Sequence, residues 1–289
     1  MDNIIDTYKF VEDENELKWF WSKLPKLEST ESYYFCMAAR AKKLSEEDKK
    51  KYVLGRSEMF YPEIMYNSSG DWKFEDFVKH VYKMQVDKRA FLTKNYLAYP
   101  DNSLICYFYP NPCSEIACIR DFKKYTDVME DELIMSVQKG STDGIKEQLN
   151  KLSHSGNYYK TCHSKNTSRK IWVDFDFDLN DFDLNEFPLK NRDIIESSLN
   201  IDLQRFFPKN AYLTIRTSGG IHVLVDKRYI KFNPAEIGEY FMSDKYKDDF
   251  KEVVKNETGF IPLPGTKHYL KNGGFITVQV INKDNFNEF

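Results

Sequence analysis

Apolar and polar positions follow two different periods along this chain. In "ENELKWFWSKL" and "WKFEDFVKHVYKM" the apolar residues fall three and four apart, which predicts amphipathic helices. "YYFCMAA" at 33–39 is an unbroken apolar run and predicts a buried strand. "SEEDKKKYVL" opens with a Ser cap and acidic residues in its first turn, so a helix should start there. "SLICYFY" at 103–109 predicts a second strand, expected to stop at "PNP" because proline has no N–H for a ladder. From Ser114 to about Lys151 the pattern is helical, broken at "KGSTDG".

The polar stretch "SHSGNYYKTCHSKNTSRK" at 153–170 predicts a loop. It is the expected boundary between an N-terminal αβ module, 1–155, and a C-terminal module, 156–289. After it the period changes. "KIWVDFDF" predicts a strand, "NRDIIESSLNIDLQRFF" a helix, and "AYLTIRT" and "IHVLVDK" two strands joined by "SGG". "NPAEIGEYF" and "FKEVVKN" are expected to be helical, and "GGFITVQVI" to close as a strand. This β-α-β-β-α-β order predicts a split β-α-β antiparallel sheet, hence an α+β fold.

Composition narrows the reading without deciding it. Hydrophobic residues make up 41% of 289 residues, enough for a sizeable core. The net charge of −3 does not announce a nucleic-acid partner, which would depend on clustering such as that of Arg40, Lys42 and Lys43. A solvated face is the simpler expectation for those three, and core packing for Trp19, Phe20 and Trp21. "MDNIIDTYKF" has no signal-peptide pattern and no apolar run reaches membrane-spanning length, so an intracellular, non-secreted protein without a membrane partner is expected. Five cysteines at irregular spacing predict free thiols, and they fit no zinc knuckle.

The chemistry concentrates in "WVDFDFD". Strand alternation places Asp174, Asp176 and Asp178 on one face and Val173, Phe175 and Phe177 on the other. Same-face neighbours lie about 6.5–7 Å apart along a strand. Two carboxylates at that spacing can converge on ions about 3.5–4 Å apart, as in two-metal phosphoryl-transfer sites. Oxygen ligands of this kind suit Mg²⁺ or Mn²⁺. A lone acidic pair on a strand is more often a solvated edge. Aspartate is a poor strand former, however, and three on one face repel unless a cation offsets them. Asp178 is read as an outer neighbour, and the acids of "DLNDFDLN" beyond it as a turn. Downstream, "IRTSGGIHVLV" holds two glycines that let backbone approach a ligand, with Arg216, Ser218 and His222 as donors to a phosphate.

Together these stretches resemble the archaeo-eukaryotic primase superfamily, in which an acidic strand is followed by a helix and a strand–turn–strand with a Ser…His element. The resemblance covers most of the chain and is most specific from 171 to 225. It implies a primase fold of viral, plasmid or phage type, with the site in a cleft between the N-terminal module and an RRM-like sheet. It implies Asp174 and Asp176 as the metal pair, two Mg²⁺ or Mn²⁺ ions, and Arg216, Ser218, His222 and Lys267 at the triphosphate, with "FIPLPGTKHYLKNGGF" resembling the segment after the third motif. The family's third carboxylate has four candidates here: Asp248, Asp249, Glu252 and Glu257. Where members carry "NPR", this chain has Asn111-Pro112-Cys113.

The implied activity is template-dependent primer synthesis or extension. The partners are then a single-stranded DNA template, NTPs or dNTPs, and a helicase, fused or separate, since no Walker-type motif is present. Two alternatives stand beside it: a metal-dependent nuclease using the same aspartates, and a non-catalytic module that binds nucleotides or single strands.

Overall fold

The computed structural model describes residues 8–41, 44–52, 58–66, 72–85, 99–153, 155–179, 189–246, 248–256, 259–270 and 274–286. Lys42, Lys43, Glu257 and the acidic turn after Leu179 lie outside them.

Among the described residues the first part runs α1 (Glu14–Trp21), β1 (Glu31–Ala39), α2 (Glu46–Tyr52), β2 (Glu58–Tyr66), α3 (Phe74–Lys83) and β3 (Leu104–Ser114). The Asp13 side chain accepts from the Asn15 and Glu16 N–H groups and starts α1, which buries Leu17 and Phe20. Every residue of β1 is buried. Tyr33, Phe35, Met37 and Ala39 enter one core, and Tyr34, Cys36 and Ala38 another, as expected of a strand covered on both faces. The strand expected to stop at "PNP" instead runs on to Ser114. Tyr34 pairs with Tyr109 and Ser32 with Cys113, so Pro110, Asn111 and Pro112 together oppose Tyr33. The prolines sit in a bulge where no ladder bond is asked of them. β2 carries a proline and had no strand signal; it lies at the sheet edge, where proline is tolerated.

α4 (Glu115–Gln138) and α5 (Thr142–Ser153) break at the expected place. The stretch read as a boundary loop is partly helical, forming α6 (Ser155–Cys162). His163, fully buried beside it, bonds Glu115 at 2.8 Å.

The second part runs β4 (Trp172–Leu179), α7 (Leu189–Leu203), β5 (Tyr212–Arg216), β6 (Gly220–Asp226), α8 (Pro234–Phe241) and β7 (Phe250–Lys255). Short strands follow: β8 (Ile261–Pro262), β9 (Lys267–Tyr269), β10 (Phe275–Thr277) and β11 (Gln279–Val280). The β-α-β-β-α-β order holds, but its last strand is "FKEVVK", expected to be helical, and not the later "GGFITVQVI". The cause is a register shift in the β4–β7 ladder between Asp178 and Leu179. It puts Phe250 and Val253, three apart, into the same core, which imitates helical spacing.

The fold is α+β with antiparallel sheets. One sheet has the order β2-β1-β3-β8, another β11-β5-β6-β4-β7, and β9 and β10 form a small ribbon. In the five-stranded sheet α7 and α8 cover one face, packing Leu199, Leu203, Ile237 and Phe241 on Phe175, Phe177 and Val223. On the other face Leu213, Ile215 and Leu224 join Phe35 and Phe108 of the first sheet in a shared core. The chain after β7 returns to the first sheet, since β8 pairs with β3 and Thr266 bridges Val11.

Candidate active site

Asn111 sets where β4 begins. Its Oδ1 accepts from the Ile171 and Trp172 N–H groups at 2.8 Å each, and its Nδ2 donates to the Trp172 carbonyl at 2.9 Å. The bulge in β3 thus holds the start of the acidic strand.

From there the alternation runs as expected. Phe175 and Phe177 pack under the helices, and Asp174, Asp176 and Asp178 lie on the opposite face. Antiparallel register puts Leu224, His222 and Gly220 of β6 directly beside them. The row leads outward from the shared core: Asp174 is 3% exposed, whereas the Asp176 side chain is 30% exposed. His222 joins the two. Its Nδ1 lies 3.0 Å from Asp174 Oδ2, and its Nε2 lies 3.7 Å from Asp176 Oδ1. Burial pushes the imidazole pKa down, but the Asp174 and Asp176 charges outweigh it and raise it to about 9. Nδ1 therefore donates to Asp174.

On the other side of β4, Asn256 opposes Asp174. Its backbone N–H donates to the Asp174 carbonyl at 2.9 Å, and its Nδ2 to Asp174 Oδ2 at 2.7 Å. The β7 row on this face is then Asn256, Val254 and Glu252, with Glu252 opposite Asp178. Of the four candidates for a third carboxylate, Glu252 alone among the described residues is in register on the acidic face, and it is exposed. Asp248 and Asp249 precede the ladder; burial and the neighbouring Asp248 charge raise the Asp249 pKa.

The "TSGG" turn is closed from both sides. Thr217 Oγ1 donates to the Gly220 carbonyl at 3.0 Å, and buried Arg192 of α7 donates to the Thr217 and Gly220 carbonyls. Gly220 passes so close to β4 that a Cβ would meet the Phe177 carbonyl oxygen at 2.3 Å. Ser218 is fully buried, and its N–H donates to His268 Nδ1 at 3.2 Å.

Arg216 does not join this group. It pairs with Ile221, which pairs with Phe177, so it lies on the helix-covered face. There its Nε donates to Glu196 at 2.8 Å and its Nη2 to Asp193 at 2.6 Å. Lys267 lies 3.3 Å from Glu12, with its ammonium over the Phe275 ring; strand alternation on β9 turns its neighbour His268 towards the turn instead.

Three residues at the site carried no motif signal of their own. Asn256 is legible only once β7 is read as a strand. His268 stands next to the lysine that was singled out. Arg40, just after β1, was read as part of a solvated basic face; it is half-buried, with its guanidinium over Tyr107 and bonded to the Tyr107 hydroxyl. Burial lowers its pKa, and the Asp176 and Asp178 charges pull it up, so it faces the acidic row from the first sheet.

Among the described residues no group of three or more His, Cys, Asp or Glu side chains is arranged to hold a metal ion. The carboxylates of Asp174 and Asp176 are the residues that could do so with added ligands. The five cysteines are free and buried, and burial pushes the Cys36 and Cys106 thiols up. Phe20 packs edge-on against Phe108, and Trp21 stacks on Trp72, as core residues. Among the described residues no helix is long and apolar enough to cross a membrane. Comparison with protein-family models, with curated proteins and with solved structures finds no match to the chain.

Proposed function

We propose that the chain is a template-dependent nucleotidyltransferase of the archaeo-eukaryotic primase type, which makes or extends a nucleic-acid strand. One observation carries the reading: Asp174, Asp176 and His222 converge on one face of a split β-α-β sheet, with the imidazole between the carboxylates. The donor set fits a hard divalent ion, since carboxylate oxygens stand side by side and Asp176 is open to solvent. Asp174 and Asp176 would hold Mg²⁺ or Mn²⁺, which would neutralise phosphate charge and lower the pKa of an attacking 3′-hydroxyl. His222 orients Asp174 through Nδ1 and turns Nε2 towards the open end of the row, where a phosphate oxygen could accept from it. Arg40 supplies a cation from the opposite sheet. Arg216 and Lys267 drop out of the triphosphate cradle because carboxylates hold them elsewhere.

The test is incubation with single-stranded template, with and without a primer, in Mn²⁺ with labelled dNTPs or NTPs. Extended products that disappear in Asp176→Ala are expected. Shortened strands would instead assign a nuclease.

One observation favours a second reading, a non-catalytic module that binds nucleotides or single strands. Asp174 is buried and already takes hydrogen bonds from His222 and Asn256, so it is satisfied without a metal. Nucleotide binding that survives Asp174→Ala, with no product under any condition, would establish that reading.

A further inference from the structure

A second feature lies at the opposite end of β4 from the open carboxylates. Where the chain enters this strand, an open cavity of about 790 Å³ forms between the segment after α1 and the end of β6. That size falls in the range of small-ligand sites, about 300–1,000 Å³. Leu24, Ile171, Trp172 and Phe286 give it apolar and aromatic walls. Five cations line it against a single acid, Asp226.

The five are not equivalent. Arg169 is forked onto Glu31, with Nε to Oε1 at 2.8 Å and Nη2 to Oε2 at 2.5 Å. Arg228 closes on Asp226 at 2.6 Å. In each of those two pairs the charges offset one another. Lys23, Lys170 and Lys227 have no carboxylate partner among the described residues. The Lys23 ammonium rests 5.0 Å from the Phe286 ring centroid, so charge and aromatic surface meet on the same wall. Trp172 is 8% exposed, and its indole Nε1, buried, finds no acceptor among the described residues.

We propose that this cavity binds a nucleotide unit, with the three lysines on its phosphate and the aromatic walls against its base. Lysines without a carboxylate partner among the described residues, beside flat apolar rings, suit a phosphate joined to a base. A peptide that adds to the sheet as a strand would need a free edge. The strands framing the cavity, β4 and β6, are both interior to the sheet. Trp172 and Asp176 stand about 13 Å apart along β4, and the inference does not rest on the carboxylate reading.

The same chemistry fits a free nucleotide or one unit of a single strand. Binding of fluorescein-labelled octathymidylate by anisotropy, and of ADP by calorimetry, separates the two. Both are measured in EDTA, so that chemistry at the carboxylates plays no part. Replacing Lys23, Lys170 and Lys227 together by alanine should weaken binding about tenfold or more. For the oligonucleotide it should also reduce the slope of log K against log salt by about 0.7, the share of one lost phosphate contact. Lysine-dependent binding of ADP assigns a free nucleotide, and of the oligonucleotide alone a strand. The proposal is overturned if the wild type binds neither probe. It is also overturned if the triple variant, with an unchanged unfolding midpoint, binds both as the wild type does, or if a polyglutamate peptide competes as well as the nucleotide.

Discussion

Arg216 and His222 come from one hairpin, yet they face opposite sides of the sheet. On the helix side, Arg192 and Arg216 meet Glu196 and Asp193, two cations against two acids, in direct contact. On the other side Asp174, Asp176, Asp178 and Glu252 share a face with His222, and Arg40 approaches from the first sheet. The first set is closed, and a ligand would have to break it. The second sets four carboxylates against one imidazole and one guanidinium among the described residues. Charge within a motif is therefore not a guide to function until the face it occupies is known.

The strongest way to break this contrast is Asp176→Ala. Losing several kcal/mol of transition-state charge stabilisation should lower strand synthesis about a thousandfold. Because Asp176 is part-exposed among like charges, unfolding stability should move by less than about 0.5 kcal/mol. Primer extension and urea unfolding on the same preparation check both, and equal loss in the two would mean the acidic face is structural.

Gly220→Ala should act on both faces at once. The new Cβ overlaps the Phe177 carbonyl, so the β4–β6 ladder must shift, at a cost of about 1–3 kcal/mol. The urea midpoint reads it directly, and an unchanged midpoint would show that the hairpin can move aside.

On the helix side, a double-mutant cycle of Arg216→Met and Glu196→Gln should give a coupling of about 0.5–3 kcal/mol in stability. Nucleotide affinity should stay unchanged in Arg216→Met that remains folded. A weaker nucleotide affinity with normal stability would return Arg216 to the site.

The smallest effect expected is with pH, away from both faces. Burial pushes Glu31 and Glu115 up, but hydrogen bonds from Arg169 and from His163 outweigh it and hold both below the usual carboxylate range. A folded pKa below the unfolded one stabilises above the unfolded value, about 4.3 for Glu, and that stability is lost as pH falls through the folded value. Unfolding midpoints should be flat from about pH 6 to 5 and fall below about pH 4.3. Arg169→Met should shrink the Glu31 share of that fall.

Much of this site was legible in the sequence because strand alternation is local. The spacing of Asp174, Asp176 and Phe175 assigns their faces without any partner strand. The same rule could not be applied to Arg216, since the phase of a strand near a turn depends on which residue the turn leaves first. Nor could it be applied to β7, where a bulge against β4 replaced alternation by a spacing of three. β3 hid in the same way, its prolines looping past Tyr33 without ending the ladder.

By itself the sequence determined the elements from β4 to α8, the acidic row on β4 and the "TSGG" turn, all set by periods and residue types within a few positions of one another. The tertiary structure decided the rest. It brought Asn256 and His222 to Asp174, His268 to Ser218 and Arg40 to the acidic row, and it took Arg216 away to Glu196. Each of these depends on which strands pair and in what register, and pairing energy comes from residues tens of positions apart, which no local pattern encodes.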